Sequence, residues 1–153
     1  MTTPDPRARL FPPLVPIVLI LVGIGLQVWR PLRLVSPPAG RWIGGGLILC
    51  WLVLAAWALG MFRRVGTTPD PMGEVTAFVT DGPFRFTRNP MYLGLLLFQV
   101  GAAFLLSNGW VLLFVPLGFL LLDRVVVVGE EHYLAARYGA AYDEYRHRVR
   151  RWL

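Results

Sequence analysis

The chain contains one cysteine, two histidines and no lysine among its 153 residues, and only 16% of its residues are charged. The single cysteine, Cys50, excludes a disulfide bond within the chain. Because all 15 basic residues are arginine, the net charge of +6 persists at every physiological pH. The sequence also has no GxGxxG, GxxxxGK(S/T), HExxH or paired CxxC motif, so the corresponding nucleotide and zinc sites are absent or unrecognisable.

What the chain has in excess is apolar residues, at 56% of the total, with a mean hydropathy of +0.55. They are concentrated in uncharged runs, of which Leu10–Trp29 and Trp42–Phe62 each match the roughly 20 residues that cross a bilayer as a helix. The sequence therefore predicts an integral membrane protein of the all-α class. Arg7 and Arg9 before the first run also resemble a secretory signal, but no small-x-small cleavage site follows, which favours a retained helix.

A third uncharged run, Asn89–Leu122, is too long for one crossing, since a single helix of that length would measure roughly 51 Å. Turn-forming residues at 107–109 interrupt it. The run therefore predicts a helical hairpin over residues 91–128, with arms Met91–Leu106 and Trp110–Val128, which returns the chain to the side it left. The first arm would measure only about 24 Å, which leaves open whether it spans the bilayer. Together, the two single runs and the two arms of the hairpin predict four hydrophobic helices.

The arginines predict the orientation of these helices. Three of them, Arg30, Arg33 and Arg41, lie in the loop after the first run, and most of the others would collect on the opposite side with both chain ends. Cytoplasmic segments are enriched in arginine and lysine, so both termini are predicted to be cytoplasmic. The largest polar connection, residues 63–90, lies on that side too. Its segment Val75–Gly82 reads as a short β-ribbon, and its phenylalanines favour ligand binding over a disordered connector.

Residues 130–153 are predicted to form an amphipathic helix that lies on the bilayer surface. Its apolar face has helical spacing and comprises Leu134, Tyr138, Tyr142, Tyr145, Val149 and Trp152. Glu130 and Glu131 emerge at the hydrocarbon boundary, where an unpaired charge is poorly solvated. In a continuous helix Glu131 would share a face with Arg124, seven residues earlier, which predicts a structural contact between them. Glu130 has no basic neighbour on its own face, and a cationic ligand would supply one.

These motifs, in this order, carry a family resemblance. The chain has Gly82-x-Phe-x-x-x-Arg-Asn-Pro-x-Tyr-x-Gly94, then Glu130-Glu131, then a tail of Tyr138-Gly139 and Tyr142-x-x-Tyr145 that ends near Arg-Trp. Over roughly Thr76 to Leu153 it resembles the isoprenylcysteine carboxyl methyltransferase family of membrane enzymes and its bacterial relatives. The resemblance implies methyl transfer from S-adenosylmethionine at the surface of a bacterial cytoplasmic membrane.

The resemblance also implies the site residues. The cofactor contacts would fall on Thr76, Ala77, Phe78, Val79, Phe84, Asn89, Pro90, Met91, Tyr92 and Glu130. Arg124 and Glu131 are the candidate catalytic residues. Arg88 would bind either a carboxylate of cofactor or substrate, or a headgroup phosphate. For Asn89 the alternative to ligand contact is a purely structural N-cap, with Pro90 at the first helical position.

The chemistry of the cofactor suits these residue types. The Glu130 carboxylate can hold the α-ammonium of S-adenosylmethionine, and the rings of Tyr92 and Phe84 can lie against its sulfonium. The reaction needs no metal ion. Two departures leave the acceptor open: Asn89 replaces the family's histidine, and Val126 stands where the family has a substrate-orienting arginine, with Arg124 nearby but displaced.

The acceptor is therefore expected to be a lipophilic or small nucleophile, which can be a carboxylate, a thiol or an amine. The competing hypothesis is a non-catalytic membrane subunit whose basic tail binds a partner or anionic lipid. Nucleic acid is not an expected partner, because no basic patch is interleaved with exposed aromatic residues.

Overall fold

The computed structural model describes residues 11–66 and 79–153, and the described residues form helices without any strand. Of the predicted β-ribbon, residues 75–78 fall outside the described residues and residues 79–82 form no strand; the predicted all-α class is confirmed for the described part. The helices, in chain order, are α1 (Leu14–Trp29), α2 (Pro37–Val65), a short 3₁₀ helix (Gly82–Arg85), α3 (Pro90–Leu105), α4 (Gly109–Leu113), α5 (Val115–Leu121), a π-helical segment (Leu122–Val127), α6 (Val128–Tyr138) and α7 (Ala140–Arg148).

Two helical stretches are long and apolar enough to cross a membrane. They are α2 and the helical run from Gly109 to Tyr138, whereas α1 and α3 are apolar but have only 16 residues each. The second predicted span, 42–62, lies inside the longer α2, and the first predicted span begins four residues before α1. Apolar side chains are exposed all along α1 and α2, as expected for helices whose outer faces meet lipid rather than water.

α2 and α3 pack closely because glycines line their contact. A Cβ atom added to Gly44 would lie 2.7 Å from the carbonyl oxygen of Gly101 in α3, and one added to Gly40 would lie 2.5 Å from the carbonyl oxygen of Phe104. Small residues four apart allow two helix backbones to approach in this way, which is a common basis of association between membrane helices. The glycines therefore set the distance between these two helices.

The chain turns after α3 at residues 107–109, where the sequence predicts a hairpin, and hydrogen bonds fix this turn. The Asn108 side chain is buried; its Oδ1 accepts from the backbone N–H groups of Trp110 and Val111, and its Nδ2 donates to the carbonyl oxygen of Gly23 in α1. The Ser107 hydroxyl donates to the carbonyl oxygen of Val35 at 2.7 Å. Asn108 is thus both the N-cap of α4 and the link to α1.

A buried glutamine joins the two arms of the hairpin. Gln99 in α3 is fully buried, and its Nε2 donates to the carbonyl oxygen of Val111 in α4. A Cβ atom added to Gly118 would lie 2.6 Å from the Oε1 atom of Gln99. The absence of a side chain at Gly118 therefore makes room for the glutamine amide. Side-chain amides hydrogen-bond across membrane helices in this way.

The return arm is less regular than the sequence predicts. It is interrupted near Phe114, because Pro116 lacks the N–H that a continuous helix would need there. Farther on, residues Leu122–Val127 widen into a π-helix. Such a segment contains more residues per turn than an α-helix, so it changes which side chains share a face.

The prediction of one continuous helix over residues 130–153 is wrong. Gly139 adopts φ 50° and ψ −125°, a conformation that a residue with a Cβ atom avoids, and it separates α6 from α7. After α7 the chain becomes extended at Val149. Tyr142 and Tyr145, which were expected to face the bilayer, are 2% and 3% exposed and pack inside the protein.

Two neighbouring glycines of α2 test the role of the close helix contact. Gly44→Ala should lower the free energy of unfolding by about 1–3 kcal/mol, because the new methyl group meets the α3 backbone. Gly45→Ala is the matched control: nothing lies within 4 Å of its Cβ position, so the greater helix propensity of alanine should leave stability unchanged or raise it by up to about 1 kcal/mol. Unfolding in one detergent measures both, and equal effects would contradict the packing argument.

Candidate active site

The corner at the start of α3 is held by a distant part of the chain. Asn89 occupies the N-cap position and Pro90 the first helical position, as the sequence predicts, but the Asn89 side chain does not cap the helix. Its Nδ2 donates instead to the carbonyl oxygen of Arg151 at 2.9 Å. The Thr87 hydroxyl donates to the same carbonyl at 3.0 Å and accepts from the backbone N–H of Asn89. The structural role expected for Asn89 is thus corrected from helix capping to long-range anchoring.

Tyr92 links this corner to the paired glutamates. Its hydroxyl donates to Oε2 of Glu130 at 2.8 Å. The ring of Tyr92 packs against a buried cluster that spans α1, α3 and the return arm and comprises Val15, Leu19, Leu96, Leu122 and Val126. The prediction that the hairpin brings the Asn89-Pro90 corner and the Glu130-Glu131 pair together is therefore confirmed.

Glu131 is held between two arginines. Arg151 forms a bidentate pair with it, Nη2 to Oε2 at 2.6 Å and Nε to Oε1 at 3.2 Å, and Arg88 Nη2 lies 3.3 Å from Oε1. The hydrogen bonds to Glu131 raise the pKa of Arg151 above its ordinary value. The side chains of Arg88 and Glu131 are 13% and 16% exposed. Two guanidinium groups therefore offset the charge of a largely buried carboxylate, which would be costly to leave unpaired.

The expected contact between Arg124 and Glu131 is absent, and the π-helical segment explains why. Seven residues bring two side chains to one face only in an α-helix, and the wider turns of Leu122–Val127 rotate Arg124 away. Arg124 pairs with Asp123 at 3.3 Å, and its own side chain is 77% exposed. The Glu131 partners come instead from the start of α3 and from the end of the chain.

Sequence reasoning missed Asp123 as part of this site. It is 8% exposed, and its Oδ1 accepts from Trp152 Nε1 at 2.9 Å and lies 3.5 Å from Arg151 Nη1. The ring of Trp152 also packs against Phe119, with centroids 4.9 Å apart. The available signal was an acid placed immediately after a long apolar run, together with the Arg-Trp pair that the family resemblance includes.

α7 contacts the site through its two buried tyrosines, Tyr142 and Tyr145. Tyr145 donates its hydroxyl to the carbonyl oxygen of Phe84 at 2.7 Å, and burial raises the pKa of Tyr145 well above its ordinary value. Tyr142 lies beside Arg88 and Glu131. Burial and then the charge of Glu131 raise the pKa of Tyr142, and Arg88 opposes the shift. Both tyrosines therefore remain neutral at physiological pH.

The other predicted cofactor residues lie in a second apolar cluster beside α2. Val79 and Phe84 are buried there with Ala58 and Met61, and Met91 packs against them. The Phe84 ring makes an edge contact with Phe62, with centroids 5.4 Å apart. The structure thus places Tyr92 with Glu130, and Phe84 with α2. Thr76, Ala77 and Phe78 lie outside the described residues.

The chain is similar to a known family of membrane enzymes. The family model described as phospholipid methyltransferase matches residues 39–141, which is most of the chain, so the chain belongs to this family. Membership of this family, together with two long apolar helical stretches, identifies the protein as a membrane methyltransferase. The matched range includes Tyr92 and Glu130 and ends before Tyr142.

A curated protein is similar to part of the chain. The relative is an uncharacterized protein of Haemophilus influenzae, 36% identical over 63 residues, which are 41% of this chain and the whole of that protein. No solved structure is similar enough to match.

The bond from Tyr145 to Phe84 tests how α7 supports the corner. Tyr145→Phe should lower the free energy of unfolding by about 1–3 kcal/mol, because it leaves a carbonyl unpaired in the interior. Tyr133→Phe is the control: its hydroxyl accepts from Arg137 in an exposed contact, and its loss should change stability by less than about 0.5 kcal/mol. Chemical unfolding in detergent compares them. A Tyr145→Phe variant as stable as the control would show that α7 does not hold Phe84.

Proposed function

We propose that the protein transfers a methyl group from S-adenosylmethionine to a nucleophile in or near the membrane, and that the corner between Tyr92 and Glu130 binds the cofactor. The observation that carries the proposal is the 2.8 Å hydrogen bond between these two side chains. It joins two polar motifs, separated by 38 residues, next to the apolar helices of a protein from a methyltransferase family.

The residues at this corner fit the chemistry of the cofactor. Glu130 is a partly exposed carboxylate whose direction is fixed by the Tyr92 hydroxyl, and a carboxylate is a strong acceptor for an ammonium group. The face of the Tyr92 ring can lie against a sulfonium by cation–π attraction. When bound, S-adenosylmethionine supplies an activated methyl group on its sulfonium.

The apolar cluster beside α2 completes the proposed cofactor site. Val79, Phe84 and Met91 supply an apolar surface of the kind that a flat adenine ring requires. Thr76–Phe78 precede Val79 directly and are proposed to contribute backbone partners. Pro90 fixes the start of α3, and Asn89 acts through its bond to Arg151.

The protein's proposed contribution to the reaction is alignment rather than covalent chemistry. Methyl transfer is an in-line displacement, so the site must hold donor and nucleophile in one direction and exclude water. Arg124, whose side chain is exposed at the end of the return arm, is proposed to orient an anionic acceptor. Glu131 is bound by two arginines, which supports a positioning role instead of a reacting one.

The acceptor is proposed to reach the site from the bilayer of a bacterial cytoplasmic membrane, with the site on the cytoplasmic side. The return arm that leads to Arg124 exposes Leu113, Leu117 and Leu120 at helical spacing, a surface suited to a lipophilic molecule. A carboxylate acceptor is already nucleophilic, whereas an amine or thiol must first lose a proton.

Cofactor binding tests the proposal directly. Glu130→Gln should weaken the binding of S-adenosylmethionine at least about tenfold, because the variant keeps the shape of the side chain but loses its charge. Glu144→Gln is the matched control, since Glu144 is 72% exposed and pairs only loosely with Arg148 at 3.7 Å. Calorimetry on purified protein in detergent measures both. Absence of binding by the unaltered protein would favour the non-catalytic subunit instead.

The acceptor class can be found by labelling. Membrane extract incubated with the protein and a radioactive methyl donor should retain label in the organic phase if the acceptor is lipophilic. Retention in the aqueous small-molecule fraction would contradict a lipophilic acceptor. The Glu130→Gln variant is the control, and label that it incorporates equally well would come from another enzyme.

A further inference from the structure

Residues Val149–Trp152, near the end of the described chain, form a strap that lies along the start of α3. Two of its backbone carbonyls face the corner. The Arg150 carbonyl accepts from the backbone N–H of Arg88 at 2.9 Å, and the Arg151 carbonyl accepts from Thr87 and Asn89. These hydrogen bonds pair polar groups that immediately precede α3 and have no partner within that helix. The strap therefore completes the backbone of the corner.

The Arg151 side chain ties the same strap to the return arm. It binds Glu131 through two nitrogens, and its Nη1 lies 3.5 Å from Asp123. Trp152 donates to the same oxygen of Asp123. One residue thus holds the start of α3 with its backbone and the start of α6 with its guanidinium. These are the two elements that carry Tyr92 and Glu130.

We infer that Arg151 is a positioning residue for the cofactor site, which it controls through Glu131 and through the Asn89 corner. The inference rests on the proposed function, and it adds a residue that lies beyond the range matched by the family model. Glu131 is adjacent to Glu130 in α6, and its carboxylate is fixed by Arg151 and Arg88 together. Loss of Arg151 removes one of the two arginines that hold Glu131 and leaves the contact with Arg88. Because Arg88 directly precedes Asn89, a change in this contact should disturb the start of α3.

The neighbouring Arg150 provides a matched control. Its side chain is exposed, and it contributes to the strap through its backbone carbonyl, which an alanine retains. Arg151→Ala and Arg150→Ala therefore remove the same charge from the same segment, but only the first removes the bonds to Glu131. Any general effect of charge or of detergent should be common to both variants.

The experiment measures S-adenosylmethionine affinity by calorimetry in detergent for Arg150→Ala, Arg151→Ala, Arg151→Lys and Glu131→Gln. Arg151→Ala should weaken binding about tenfold, a loss of ~1.4 kcal/mol, while Arg150→Ala should stay within about twofold. Arg151→Lys should recover part of the loss, because it keeps the charge without the bidentate geometry. The double variant, Arg151→Ala with Glu131→Gln, should bind S-adenosylmethionine no more weakly than the weaker-binding single variant. Both substitutions remove the same Arg151–Glu131 interaction, so their effects should not add.

A second measurement needs no cofactor. Hydrogen exchange at the amide of Arg88, which bonds to the strap, should be about tenfold faster in Arg151→Ala than in Arg150→Ala. If Arg151→Ala does not fold, Arg151→Lys provides both readouts, with smaller changes in the same direction.

The outcomes separate the inference from the proposed function. If the unaltered protein binds no S-adenosylmethionine, the proposed function fails and the inference fails with it. If it binds, and the Arg151 variants bind as tightly as Arg150→Ala, only the inference is overturned. Fully additive losses in the double variant would overturn the route through Glu131.

Discussion

The reversal of the chain at residues 107–109 is the constraint on which the rest of the structure depends. Asn108 makes it possible by satisfying two backbone donors at the start of α4 while its amide reaches α1. In a bilayer such groups would otherwise lack partners, so a buried turn between apolar helices needs side chains that supply them. Once the chain has turned, α3 and the return arm run side by side, and Tyr92 and Glu130 meet at their ends.

Local chemistry made much of this fold predictable. Uncharged runs of known length indicated the helices, turn-forming residues indicated the hairpin, and Asn89-Pro90 indicated where α3 begins. These features depend on a few consecutive residues and on the width of a bilayer. The meeting of Tyr92 with Glu130 was predictable for the same reason, because a hairpin of nearly equal arms returns the chain to its starting level.

Features that depend on distant partners or on local irregularity were not predictable. Asn89 has the sequence environment of a helix cap, but a carbonyl 62 residues away competes successfully for its amide. The π-helical segment invalidated the spacing argument for Arg124 and Glu131, since no residue in Leu122–Val127 marks a π-helix by its type. Gly139 could have indicated the break between α6 and α7, but the amphipathic period continues across it and concealed it.

The adjacent glutamates illustrate how one helix start provides two different environments. Glu131 contacts two guanidinium groups, which offset its charge, and it fastens α3, the return arm and the strap together. Glu130 receives a hydrogen bond from a tyrosine hydroxyl, which fixes the direction of a carboxylate but adds no positive charge. In the low dielectric near apolar helices, the attraction between a carboxylate and a cationic ligand is stronger than in water. The contacts of Glu131 with Arg88 and Arg151 hold three parts of the chain together, which suits a structural role, whereas the bond from Tyr92 orients Glu130, the residue proposed to bind the cofactor.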